Sequence, residues 1–370
     1  MRDVFAYAGA LVRSLHEMPT SGIVATPLYI DSQRKKYRLV KEDSSGIFAG
    51  IDLGGTKIAV ILADSRGAVV AEGVIPTLAE AGPAQAVQRT CSLLNDLCRE
   101  YSVDYHAIGI GLPGLLDREV GKIVFLPNLP EAWRDFPVAR EFASYTDKPV
   151  ALLNDARMAT LGEFTFGNGR GSRNMLFVTV GTGIGGGFVL DGRLHFGAFG
   201  AAGEIGHHTI FPDGPPCGCG SRGCLETLVS GPVLAAAGRA LMSENRAPHL
   251  SELVAGDPGK VTATQMVLAA DRGDIAVGEA IRAAAEYLGI GIANAVTISA
   301  VDSVIIGGGL AVLGELLLVP VRRVLRERVR MFPAEVVRVD CSVLGAKSGA
   351  LGGVALAMEE YKASACSFSN

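Results

Sequence analysis

Three cysteines, Cys217, Cys219 and Cys224, follow closely on the run Glu204-Ile205-Gly206-His207. Three thiols and an imidazole at this spacing predict one tetrahedral zinc site of the Cys3His kind, with Gly218, Gly220 and Gly223 letting the loop turn tightly around the ion. The rival reading makes the cysteines unrelated core or disulfide residues. Cys217 and Cys219 are too close in the chain to pair comfortably, and Cys91, Cys98, Cys341 and Cys366 are scattered without pattern, so the spacing favours a metal. A zinc closed by four protein ligands shapes a site and does no chemistry itself. Glu204 and Glu226 are each tied in sequence to one proposed ligand. Closing the metal site therefore draws two carboxylates toward each other and predicts a polar pocket.

Asn154-Asp155 ends an apolar strand and precedes a helical stretch. A carboxylate at the C-terminal end of a strand lies where open α/β sheets place ligands, so Asp155 is the candidate general base and the Asn154 amide can orient the same substrate. The competing use of this pair is to cap the helix. Asp52 also has two readings, holding Mg2+ through water or bracing its turn by an Asx hydrogen bond. Three glycine turns, Gly54-Gly55, Gly181-Thr182-Gly183 and Gly307-Gly308-Gly309, each follow a strand. Each can present N–H groups to phosphate oxygens or serve as a plain turn. Gly181, Gly183 and Gly186 meet the dinucleotide-binding spacing, but a strand is expected next where that fingerprint needs a helix. The segment 50–57 lacks the spacing of a P-loop.

The elements that must carry these residues alternate between strand and helix. Segments 47–52 and 58–63 read as a hairpin, 84–101 as a helix, and 107–111 and 149–153 as buried strands, with a helix from Ala156. A second hairpin is expected over 175–180 and 186–190, a long apolar helix over 278–300, and a strand over 303–306. The class is α/β with mixed sheets. A chain of 370 residues predicts two lobes, placed at 47–151 and 152–346, after an extension at 1–46 with a helix over 2–17 and a basic stretch over 34–41. Hydrophobic residues at 49% supply ample core, and a formal net charge of -4 argues against a general nucleic-acid binder. No apolar run reaches membrane-spanning length, and a thiolate zinc site needs the unoxidised cysteines of a reducing cytoplasm.

Taken in order, Asp52-Leu53-Gly54-Gly55-Thr56-Lys57, Gly111-Leu112-Pro113-Gly114, Leu153-Asn154-Asp155-Ala156, Gly181 through Gly187, Glu204-Ile205-Gly206-His207 and Cys217 through Glu226 resemble the signatures of the ROK (repressor, open reading frame, kinase) family of sugar kinases. The resemblance runs from about Ile47 to about Met358. It implies a two-lobed actin-like ATPase (ribonuclease H-like) fold, with a C-terminal helix over about 347–362 completing the first lobe. It also implies a homodimer or homotetramer that transfers the γ-phosphoryl of ATP, with Mg2+, to a hexose. By motif, Asp155 is the expected base for the 6-hydroxyl, and Gly114, Asn128, Asn154, Glu204, His207 and Glu226 are expected to line the sugar. Asp52, Gly54, Gly55, Thr56, Lys57, Thr182, Gly183, Gly308 and Gly309 are expected at the nucleotide. His207, Cys217, Cys219 and Cys224 would hold Zn2+, with the second ring nitrogen of His207 meeting a sugar hydroxyl.

Asn128 and the segment Trp133-Arg134-Asp135-Phe136-Pro137 look most like the glucokinase members, where this segment covers the sugar. Kinases for N-acetylglucosamine or N-acetylmannosamine share the zinc motif and are the close alternative. Glu131-Ala132 and Phe199 depart from the usual pattern. A sugar-responsive ROK repressor is the alternative of another class. It would need a winged helix-turn-helix before the first glycine motif, for which residues 1–46 are too short.

Overall fold

A computed structural model describes residues 46–117, 121–125 and 129–367. The expected N-terminal helix and basic stretch, and Asn128, lie outside them. The first sheet holds β1 (Ile47–Leu53), β2 (Lys57–Asp64), β3 (Val69–Pro76), β4 (Ile108–Leu112) and β7 (Val150–Asn154) in the order β3-β2-β1-β4-β7, and β5 (Leu115–Asp117) pairs with β6 (Lys122–Phe125) in a small ribbon. The second sheet holds β8 (Met175–Val180), β9 (Ile184–Leu190), β10 (Arg193–His195), β11 (Ser303–Gly307) and β12 (Arg338–Cys341) in the order β10-β9-β8-β11-β12. Each sheet is an antiparallel three-stranded meander extended by two parallel strands. Parallel neighbours need crossovers, and the helices supply them.

Among the described residues these helices are α1 (Pro83–Tyr101), α2 (Val138–Ala143), α3 (Asp155–Phe166), α4 (Gly231–Ser243), α5 (Pro248–Leu253), α6 (Ala263–Asp271), α7 (Ile275–Ser299), α8 (Glu315–Arg328) and α9 (Ser348–Ser367). The reasons for α1 are local. Pro83 opens it where an N–H would be unpartnered anyway, and Ala86, Val87, Thr90, Cys91, Leu94 and Leu97 recur at helical spacing to make its buried face. Ser102, in the left-handed region, ends it by returning its N–H to the carbonyls of Arg99 and Cys98.

Helix α9 lies directly on backbone. A Cβ on Gly50 of β1 would overlap the Ala350 carbonyl oxygen, and one on Gly352 would overlap that of Met158 in α3. The helix is thereby wedged between the first sheet and α3, and the fully buried Glu163 fastens its start. That carboxylate accepts from the Ser348 hydroxyl (3.1 Å), the Leu344 N–H (3.3 Å), the Asn168 N–H (3.1 Å) and the Ser342 hydroxyl. A helix over about 347–362 thus forms, ending later than expected. The expected boundary at 151/152 falls inside β7, all of whose residues pair with β4 in the first sheet. No helix among the described residues is long and apolar enough to cross a membrane.

Candidate functional site

The site is built where β7 runs into α3. Asn154 is the cap: its Oδ1 accepts the N–H groups of Ala156 (3.1 Å) and Arg157 (3.3 Å), and its Nδ2 donates to the Gly114 carbonyl (2.9 Å). Capping therefore falls mainly to Asn154, which also fixes the turn after β4 through Gly114, held at φ 87°. Asp155, the first residue of α3, accepts only the Ala156 N–H (2.7 Å) among the described residues. Burial pushes its carboxyl up to about 6, opposed by that N–H and by Arg157, with the negative charges of Asp52 and Glu204 adding to the rise. A carboxyl held near that value at the C-terminal end of a strand can act as a proton acceptor at neutral pH.

Asp52, at the end of β1, is also raised, chiefly by burial and against the pull of Lys57. Its carboxylate lies against the start of α9, so close to Gly349 that a Cβ there would strike it. No donor among the described residues bonds it, so the Asx-brace reading fails. The turn is closed by Gly54 N–H to the Lys57 carbonyl (3.0 Å) and braced by Thr77, whose hydroxyl donates to Gly54 (2.6 Å) and whose N–H donates to Thr56 (2.9 Å). Gly55, Thr56 and Lys57 stay exposed.

The metal-type cluster forms as expected. One ligand atom from each of His207, Cys217, Cys219 and Cys224 lies within 4.8 Å of all the others. Cys219 Sγ and Cys224 Sγ are 3.7 Å apart, and Cys217 Sγ is 3.6 Å from His207 Nδ1. A tetrahedral zinc with Zn–S near 2.3 Å and Zn–N near 2.0 Å has ligand edges of about 3.5–3.8 Å, so these four residues fit the ion. Burial, then the two neighbouring sulfurs, push the Cys224 thiol up to about 12, whereas the Ser221 N–H, first among several hydrogen bonds, lowers Cys219. A divalent cation is the charge that such crowded sulfurs need. Because Nδ1 faces Cys217, Nε2 is the ring nitrogen left for another partner.

Two single turns of 3-10 helix, Ile205–His207 and Leu225–Thr227, pack together around this cluster, joined by Leu225 N–H to the His208 carbonyl (3.1 Å). Glu204 precedes the first and Glu226 lies in the second. Glu204 Oε1 accepts from Arg157 Nη2 (3.1 Å). Glu226 Oε2 accepts from the Ile184 N–H (2.8 Å) and occupies the space a Cβ on Gly183 would need. The glycine at 183 thus leaves Glu226 room to hold this orientation. Gly308, at φ 81°, is required because a Cβ would overlap Val180 O, while Gly309 and the exposed Thr182 face open space. The Gly181–Gly183 and Gly308–Gly309 turns adjoin, for a Cβ on Gly181 would stand 3.9 Å from Gly309 N. The Gly54–Lys57 turn makes no hydrogen bond to either among the described residues. Gly185 and Gly187 serve packing, since a Cβ on either would press on Ala156 or Thr160 of α3, and β9 follows Gly183 where a dinucleotide fold needs a helix.

Trp133 opens the segment that the resemblance sets over a sugar. It is fully buried in the core of the first sheet, with Nε1 donating to Ala79 (3.0 Å), so it anchors its segment from within. Arg157 and Thr77 escaped notice in the sequence. A lone cation in the apolar run Ala156-Arg157-Met158-Ala159 was the available signal for the first, and nothing local marked the second.

A ROK family model matches residues 48–360. The chain belongs to the ROK family. Among its relatives, a glucokinase of Halalkalibacterium halodurans is 34% identical over 83% of this chain and 93% of that protein. A xylose repressor of Caldicellulosiruptor bescii is 31% identical over 85% of this chain and 79% of the repressor. The crystal structure of a Streptomyces griseus ROK glucokinase in complex with glucose and AMPPNP superposes with a TM-score of 0.74 at 32% identity, covering 85% of this chain and all of that one. The α/β architecture with two mixed sheets is the actin-like ATPase fold of these ROK kinases.

Proposed function

We propose that this ROK protein is an ATP-dependent kinase that transfers the γ-phosphoryl group to the 6-hydroxyl of glucose, with Asp155 as general base. The observation that carries the reading is Asp155 itself, a carboxyl raised to about 6 at the C-terminal end of β7, in electrostatic reach of Asp52 and Glu204. Sugar kinase activity with ATP agrees with the glucokinase relatives. In the reaction the Asp155 carboxylate takes the hydroxyl proton as the sugar oxygen attacks the γ-phosphorus and the bond to ADP breaks. Asn128, Asn154, Glu204, His207 and Glu226, with the Gly114 turn, form the sugar wall. Asp52, the Gly54–Lys57 turn, Thr182, Gly183, Gly308 and Gly309 receive Mg2+-ATP. His207, Cys217, Cys219 and Cys224 would hold Zn2+, which when bound supplies rigidity to the wall. The two sheets form the cores of two lobes, the first completed by α9. Cysteines that must stay unoxidised to hold zinc support a reducing cytoplasm as the protein's location.

The test is a coupled ATP assay on glucose, N-acetylglucosamine, N-acetylmannosamine and xylose. Glucose is expected to give the highest kcat/KM, with glucose 6-phosphate as product. Asp155→Asn is expected to lower kcat by roughly 10²-fold or more while glucose binding is kept. Preference for an acetamido sugar would replace the substrate assignment, and sugar binding with no turnover would favour the repressor reading.

A further inference from the structure

Arg157 sits in the first turn of α3, two residues after Asp155, and its side chain is 2% exposed. Both circumstances are unfavourable. A cation at a helix N-terminus opposes the helix dipole, and a guanidinium removed from water needs partners that replace it. Stability alone would be served as well by an apolar side chain of similar volume. What Arg157 does gain is specific: its Nη2 donates to the Ala202 carbonyl (2.8 Å) and to Glu204 Oε1 (3.1 Å).

Both acceptors belong to the strap that runs from the end of β10 to the zinc-type cluster. The strap is seated at its two ends, where Phe196 packs beside buried Leu194 and Gly203 lies on the β9 backbone at Gly186 and Gly187, while residues 197–199 between them are exposed. Gly197, Gly200 and Gly203 all have positive φ, Phe199 is 83% exposed, and the loop is closed at its base by Ala202 N–H to the Phe196 carbonyl (3.0 Å). The Glu204 side chain is 49% exposed, and Arg157 engages only its Oε1, so the carboxylate is held in one orientation with Oε2 left to receive a ligand donor.

We propose that Arg157 is a positioning residue that locks the Ala202–Glu204 strap to the helix bearing Asp155, so that sugar affinity depends on a side chain that does not touch the sugar. This rests on the kinase reading above. One guanidinium on α3 spans two acceptors, so the sugar-binding carboxylate and the base are referred to the same rigid element. The nucleotide turns lie on other strands and loops, and the Arg157 side chain makes no hydrogen bond to any of them among the described residues.

The experiment compares wild type, Arg157→Met and Arg157→Lys by steady-state kinetics on both substrates, with thermal unfolding and metal content as controls. Arg157→Met is expected to raise the glucose KM about 10- to 100-fold, the scale of a lost charge-assisted hydrogen bond, with the ATP KM within about twofold. Arg157→Lys keeps the charge but not the planar fork, and is expected to recover part of the glucose affinity. A glucose KM within about twofold of wild type in Arg157→Met, or parallel rises in both KM values, overturns the proposal. If Arg157→Met does not fold, Arg157→Lys carries the readout, with a glucose-only rise of about fivefold expected and an unchanged glucose KM overturning it. A wild type inactive on every sugar removes the kinase reading, whereas an active wild type with an indifferent Arg157 removes this inference alone.

Discussion

Asp155, the proposed base, shows how much of a carboxyl's character is made by its surroundings. Its type and its place before a helix were plain in the sequence, but they served a cap as well as a base. In the structure capping falls mainly to Asn154, which takes the Ala156 and Arg157 N–H groups, while Asp155 shares only the first of these. Burial then raises the Asp155 carboxyl to about 6, with Asp52 and Glu204 adding to the rise and the Ala156 N–H and Arg157 resisting it. A base works only as the carboxylate, so activity should be lost as pH falls through that value. We expect kcat/KM for glucose to drop ~10-fold per pH unit below about 6 and to level off above about 7. A profile flat from pH 5 to 8 would remove Asp155 as the titrating base.

At the scale of elements, the zinc-type loop and the glycine turns supply different parts of the proposed site. The 3-10 turns that carry Glu204 and Glu226 are joined through the cluster of His207 and the three cysteines, so the loop positions both carboxylates at once. Cys219 is the best probe of this, because it is exposed and its replacement opens no core cavity. Cys219→Ser is expected to lose zinc, read by metal analysis, and to raise the glucose KM by roughly 10-fold with a smaller effect on the ATP KM, as for a displaced binding element. Undiminished glucose affinity in the metal-free variant would show that the ion does not organise the wall. The glycines sort by neighbour rather than by motif: Gly183 makes room for Glu226, Gly185 and Gly187 make room for α3, and Gly309 keeps open space.

At the scale of the whole molecule, α9 and α3 bring the two sheets to the site, and the folded state must carry buried carboxylates there. The linkage for Asp155 has a definite sign. Its folded value of about 6 exceeds the unfolded 3.8, so the folded form holds its proton longer, and stability is lost as pH rises between those values and stays reduced above them. Asp155→Asn should therefore stabilise the protein at pH 7.5 by up to about 3 kcal/mol and by almost nothing at pH 3.5, read by denaturant unfolding. A variant less stable than wild type at pH 7.5 would contradict this account. Much of the molecule was legible beforehand: strand and helix periodicity marked the elements around the site, and the spacing of Cys217, Cys219, Cys224 and His207 announced their cluster, because these signals are local. Contacts between distant segments carry no such mark. That Arg157 reaches Glu204, that Glu226 fills the space beside Gly183, that Trp133 is core and that α9 lies on bare backbone were decided only by the packing of the sheets and helices, since each depends on which surfaces meet when the apolar faces are buried together.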